Sequence, residues 1–328
     1  MPDLITHYLF AQEIINDLKK ELILNHLATY NLGSSGPDYF FYYHILPYSK
    51  KKNRHQITQF GHMMHNKNID QFFEESFIYL KENYSDTLYS YFIGYLTHYF
   101  LDRKAHPYIF YFSGVQNHYP ETKIYEYWHK RFEVCIDEKM LNEIAHTDIK
   151  HFHPATIVNV KEIEMQTIYD YTAFLIKKTY QQNIEFYDLK QSIYDFRQAL
   201  KLLYSKYSYK KRLVLQIEKV FKIPPQISTA MYSIKEENYD FLNIKKQEWL
   251  DPCNQNIKHN ESFIELYEEA KIETVHFIKQ LDLYLNNELE LKELMKTIDG
   301  KCFDTNYREG IELKYSRCIY EYRDVLKK

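Results

Sequence analysis

His98, Asp102 and His106 recur every four residues inside Phe92–Pro107, a run that is otherwise mostly apolar and aromatic. On a helix, that spacing stacks the three side chains along one inward-turned face. His98 and Asp102, one turn apart, can grip one metal ion, whereas His106 lies about 12 Å along the axis from His98 and would reach a different one. Pro107 disfavours helix at His106, which predicts that the helix ends there. A single histidine on an apolar face is usually a core residue satisfied by a hydrogen bond. Three in register are different, because each group buried without a partner costs about 1–3 kcal/mol, and a shared cation removes that cost.

Further donors share the first half of the chain. His129 and Glu133 are again four apart, with Phe132 between them. His7 opens a stretch of helical periodicity, and the loop Asn31–Asp38, with two glycines and a proline, delivers Asp38. Gly61-His-Met-Met-His65 adds His62 and His65, either of which qualifies as a ligand. Together with His98, Asp102 and His106, this set of neutral imidazoles and carboxylates without thiolate suits zinc in a hydrolytic centre. It is too large for one ion, and Asp102 can bridge two through its two oxygens. Thirteen of the fifteen histidines precede residue 154, which puts the candidate chemistry there.

The elements that must position these groups read as helices. Among 328 residues there are only seven glycines and nine prolines, and the alternating runs that would turn 33 tyrosines and 21 phenylalanines into strands are scarce. Periodicity predicts helices over 4–30, 70–83, the organising segment after the Ser85-Asp86 cap, and one starting near Glu121. Further helices follow over 160–184, 187–207, 210–221, 226–236 and 260–296, with breaks at Pro224-Pro225 and near Asp251-Pro252. The expected fold class is all-α, a single domain over 1–328 with a metal-site half, 1–153, and a C-terminal helical half, 154–328.

Several functions are disfavoured. The net charge of −3 gives no global field for nucleic acid, and the basic runs Lys50–Arg54 and Lys210–Arg212 read as solvated surface. Cys135, Cys253, Cys302 and Cys318 are scattered and read as free thiols in a reducing compartment. No phosphate-cradling glycine loop or nucleophile elbow is present. Glu143–His146 and Glu273–His276 match a di-iron spacing by chance in a chain rich in both residues. No signal-peptide pattern opens the sequence and Tyr89–Leu101, the longest apolar stretch, is too short to span a bilayer, so a cytoplasmic location without a transmembrane anchor is expected.

Thr97-His-Tyr-Phe-Leu-Asp102 resembles the A-M-H-Y-F-G-D run of the zinc-dependent phospholipase C family, His129-Lys-Arg-Phe-Glu133 resembles its H-x-x-F-E run, and Gly36-Pro-Asp38 its P-D loop. The order of the motifs also agrees, over about residues 2–133. The resemblance implies a phospholipase C/P1 nuclease-like helical bundle with additional C-terminal helices and three zinc ions. One would be held by Asp38, His65, His98 and Asp102, a second by His106, His129 and Glu133, and a third by His7, Asp102 and the N-terminal amine. Pro2, exposed by removal of Met1, would supply that amine, five residues before His7 as Trp stands in the nuclease branch. His65 is preferred to His62 because Gly61 resembles the G-x-x-x-H of related sequences. One departure is the interval from Asp102 to His106, with three intervening residues where the secreted phospholipases have five.

The implied activity is hydrolysis of a phosphoric ester by metal-activated water, with Asp38 as the catalytic group that orients or deprotonates the water. The substrate would be a phosphoester, including a phospholipid headgroup. Two rivals use the same scaffold: a catalytically idle helical binding protein, and a zinc nuclease or nucleotide phosphatase. The near-neutral charge argues against long nucleic acids, which need a positive track.

Overall fold

The computed structural model describes residues 3–45, 53–115, 124–204, 208–232 and 238–320. Thirteen α-helices occur among them. The first seven are α1 (Leu4–Leu18), α2 (Glu21–Asn25), α3 (Leu27–Gly33), α4 (Arg54–Asn66), α5 (Ile69–Glu82), α6 (Asp86–Ser113) and α7, described from Ile124 to Ala145. Then come α8 (Glu162–Tyr180), α9 (Phe186–Leu203), α10 (Ser208–Val220), α11 (Gln226–Ala230), α12 (Phe263–Leu285) and α13 (Leu291–Ile298). A two-stranded antiparallel ribbon, β1 (Trp249–Leu250) with β2 (Lys258–His259), is the one sheet among the described residues, so the fold is all-α.

Helix α6 is the axis. It is apolar on every side and almost wholly buried, as a helix enclosed by others must be. Ser85 caps its start, its hydroxyl accepting from the Leu88 amide at 3.2 Å. Helices α1, α3, α7, α8 and α12 pack around it. The contact with α3 is backbone against backbone: a Cβ on Gly94 would lie 2.1 Å from the Tyr30 carbonyl oxygen, and one on Gly33 2.1 Å from that of Tyr91. This close approach fixes the chain that leaves α3, and with it the turn carrying Asp38.

Three expectations need correction. Helix α6 does not stop at His106 but continues through Pro107 to Ser113. Proline withholds the amide that would bond the Arg103 carbonyl, yet the residues beyond it are held by tertiary contacts. Tyr108 donates to the Phe241 carbonyl at 2.8 Å and packs edge-on against Trp249, and this burial outweighs the local preference. The predicted helix over 4–30 is three helices, broken first at Lys19, which adopts the left-handed region with φ 52°. The predicted helix over 260–296 is α12 and α13, parted at Asn286–Glu290. The expected start near Glu121 and much of the Lys50–Arg54 run lie outside the described residues, as do 233–236 of the predicted 226–236 helix.

The chain after α13 runs as a strap back over the bundle. The Phe303 amide donates to the His65 carbonyl at 3.0 Å, and those of Arg317 and Ile319 donate to the Tyr111 and Phe112 carbonyls at 2.7 and 2.9 Å. The Phe303 ring is buried against Tyr99, His65, Tyr95 and His98. One core of buried side chains therefore extends from Leu4 to Phe303. Among the described residues no helix is long and apolar enough to cross a membrane.

Candidate metal centre

Helix α6 presents His98, Asp102 and His106, α1 presents His7, α4 His65 and α7 His129 and Glu133. Asp38 opens a 3-10 turn, Asp38–Tyr42, reached through Gly36. Gly36 sits at φ +51°, a conformation that side chains disfavour, and a Cβ there would fall 2.1 Å from the His98 ring. The Pro37-Asp38 loop can thus lie directly on the imidazole.

These side chains fall into three groups whose ligand atoms lie within 4.8 Å of one another: His7, His98 and Asp102; Asp38, His65 and His98; His106, His129 and Glu133. His7 Nε2 is 3.0 Å from Asp102 Oδ1, and His98 Nε2 is 3.1 Å from Asp102 Oδ2. His65 Nε2 is 3.3 Å from Asp38 Oδ1 and 3.9 Å from Asp102 Oδ2. Ligands of a tetrahedral zinc ion, each 2.0–2.1 Å from it, stand roughly 3.4 Å apart, so the spacing matches. In the third group His129 Nε2 meets Glu133 Oε1 at 2.7 Å. The helical period explains the separation of His106 from His98, two turns away along α6.

Seven buried atoms here have no hydrogen-bond partner: both ring nitrogens of His7, Nε2 of His98 and of His106, both oxygens of Asp102 and Oδ1 of Asp38. At about 1–3 kcal/mol for each unsatisfied group, such a concentration is hard to sustain without a cation. The outer nitrogens, by contrast, are engaged. His98 Nδ1 faces the Ser34 carbonyl at 3.2 Å, His65 Nδ1 that of Gly61 at 2.7 Å and His106 Nδ1 that of Phe303 at 3.0 Å. A carbonyl only accepts, so each Nδ1 carries the proton and each Nε2 directs its lone pair inward, as metal binding requires.

Charge follows the same plan. Burial, reinforced by neighbouring His98, lowers His7, and burial lowers His106 to about 4, which keeps both imidazoles neutral. His65 departs from this plan: burial opposes its charged form, but the facing Asp38 carboxylate raises it to about 9, so a metal ion has to displace the Nε2 proton before that nitrogen can bind. Although burial works against it, the imidazoles of His98, His106 and His7 hold the Asp102 carboxyl well below the usual carboxylate range. Glu133 is likewise held low against burial, by His129 and Lys130 among others.

A model of the family described as zinc-dependent phospholipase C matches residues 6–212. The chain belongs to the zinc-dependent phospholipase C family. No curated protein and no solved structure searched matches it. The match runs past Glu133, where the recognisable motifs end, and stops within α10.

In this zinc-dependent phospholipase C family chain, the structure brings His7, Asp38, His65, His98 and Asp102 together, and His106, His129 and Glu133 beside them. His62 is not among them; it is exposed and packs on the Phe41 ring at 4.8 Å. Pro2 lies outside the described residues. Two neighbours of the centre escaped the sequence reading. Phe303 supplies the carbonyl to His106, and Asp304 Oδ1 lies 3.3 Å from the same Nδ1, while its Oδ2 accepts from Asn66 Nδ2 at 2.6 Å. Both lie beyond the matched region, in a stretch without periodicity or motif, so nothing local marked them.

Proposed function

We propose that this chain is a zinc-dependent phosphoric ester hydrolase of the phospholipase C type, with three zinc ions per chain. The observation that carries this reading is the convergence of seven unsatisfied buried atoms on His7, Asp38, His98, Asp102 and His106. An imidazole nitrogen binds one ion, whereas a carboxylate can serve two. Asp102 would therefore serve two ions, one shared with His7 and one with Asp38, His65 and His98. His106, His129 and Glu133 would hold the third ion.

Zinc at these positions would supply Lewis-acid polarisation of a phosphoryl oxygen and a water of near-neutral pKa. The chain's own residues do the rest. Asp38, the more exposed carboxylate of the first two groups with its side chain 12 % accessible, would orient the attacking water and accept its proton. The protonated Nδ1 atoms of His65, His98 and His106 hold the rings in place through backbone carbonyls, so the donors need no rearrangement as charge develops on phosphorus. Aromatic side chains, Phe303 foremost, keep bulk water from the inner side of the centre.

The test is a metal count by inductively coupled plasma mass spectrometry on untagged protein dialysed against metal-free buffer, followed by a screen of phosphodiester substrates. About three zinc ions per chain and zinc-dependent turnover are expected. Protein that retains no metal, or that retains zinc but turns over no phosphoester, defeats the hydrolase reading.

A further inference from the structure

Helix α10 is folded with its apolar side turned out. Tyr209, Leu213 and Ile217 recur every four residues, Val220 completes the row, and Phe221 follows at the helix end. Their exposures run from 45 % at Ile217 to 75 % at Val220. A helix on a globular surface normally shows water its charged side. Here the helix turns its one carboxylate inward instead: Glu218 is buried and accepts from the backbone amides of Ile227 and Ser228 at 2.8 and 3.2 Å. Val214 packs against the small cluster of Leu203, Ala230 and Met231 on the same inner side. These contacts fix the rotation of the helix, so the outward row is built into the fold.

The exposed charge on α10 itself is of one sign. Residues 208–232 contain five basic residues and a single acidic one, the inward Glu218. Arg212 and Lys219, seven apart, line one edge of the apolar row, and Lys222 follows the helix; all three are exposed. None has an ion-pair partner among the described residues. An exposed apolar stripe edged by cations, with no anion among them, matches the layered chemistry of an anionic lipid surface, acyl chains below and negative headgroups above. A second copy fits poorly, because a two-fold contact would set Arg212, Lys219 and Lys222 against their own equivalents.

We infer that the outer face of α10, from Tyr209 to Phe221, is a docking surface for anionic lipid bilayers. The face is tied to the candidate centre. Gln226 in α11 donates to Tyr127 Oη at 2.9 Å and Arg131 donates to the Met231 carbonyl at 3.2 Å, which secures α10 and α11 to α7, the helix that presents His129 and Glu133. Docking holds whether or not the centre hydrolyses a phosphoester, since it uses none of the zinc-facing residues.

The experiment is co-sedimentation of the full chain with vesicles of phosphatidylcholine alone and of phosphatidylcholine with about one-third phosphatidylserine. Binding is expected to the anionic vesicles, to fall as salt rises, and to be nearly absent with the zwitterionic ones. The double variants Leu213→Ser/Ile217→Ser and Arg212→Glu/Lys219→Glu should each lower binding at least about tenfold with helicity unchanged. Removal of zinc by chelation, and turnover of a soluble phosphodiester by the variants, separate docking from catalysis: binding survives the first, and the second stays at the parental rate. Equal binding to both vesicle types, or variants that bind as the parent does, overturns the inference. So does self-association abolished by Leu213→Ser/Ile217→Ser, which would give the face to a second copy, or binding of an acidic polypeptide but not of vesicles, which would give it to a protein.

Discussion

Asp102 Oδ1 lies 3.0 Å from His7 Nε2, on the opposite oxygen from the one that faces His98. One carboxylate thus serves two groups of donors. Asp102→Asn should remove two zinc ions together and lower phosphoesterase turnover by about 10²–10³-fold or more. Glu133→Gln should release a single ion and cost far less. Metal counts and kinetics on the two variants check this, and equal small losses would contradict the bridging role.

Asp304 is expected to position His106 rather than to touch substrate. Asp304→Asn should weaken zinc retention at the His106 group by about 10–100-fold, read by competition with a chromophoric chelator. The nitrogen shifts of His106 should change with it, because the carboxylate and the Phe303 carbonyl share its Nδ1 proton. A variant with parental zinc affinity would reduce Asp304 to a surface contact.

Gly94→Ala tests how the centre is held. The added Cβ would meet the Tyr30 carbonyl oxygen at 2.1 Å, and backbone cannot swing aside as a side-chain end can. Denaturant unfolding should show a loss of about 1–3 kcal/mol or more. Since α3 leads into the Asp38 turn, zinc retention should fall in step with stability.

Chelation should destabilise the parent protein. The seven unsatisfied atoms lose their compensating charge when metal leaves, so the melting temperature should drop, and added zinc should restore it. Free zinc at 100 times its dissociation constant is worth about 2.7 kcal/mol per site. A melting curve indifferent to chelator would mean that the buried imidazoles are stable without a cation.

The legible part of this centre is the part written in helical turns. His98, Asp102 and His106 share a face because four residues make about one turn, and His129 with Glu133 repeats the device. Asp38 was legible because Gly36 and Pro37 mark a loop. The continuation of α6 past Pro107 was not, since local preference points to an end there and only the packing of Tyr108 reverses it. Asp304 was out of reach for another reason: its pairing with His106 depends on where the strap falls, and no spacing in the sequence encodes that.

The outward row on α10 shows the same limit from the other side. Its apolar periodicity predicted a helix, and a helix is present, but periodicity gives the same pattern whichever way the face turns. The inward bonds of Glu218 to Ile227 and Ser228 decide it.

The strap after α13 also sets an order of events. His106 Nδ1 finds its carbonyl partner 197 residues later, at Phe303, and the His65 carbonyl receives the amide of that same residue. While the chain emerges from the ribosome, every proposed ligand of the first two groups is already synthesised, yet the ring of His106 gains its anchor only once Phe303 has been made. A fully loaded centre is then a mark that synthesis has passed Phe303, and a chain cut short before that residue forfeits the fixed tautomer of His106 while keeping every motif by which the family is recognised.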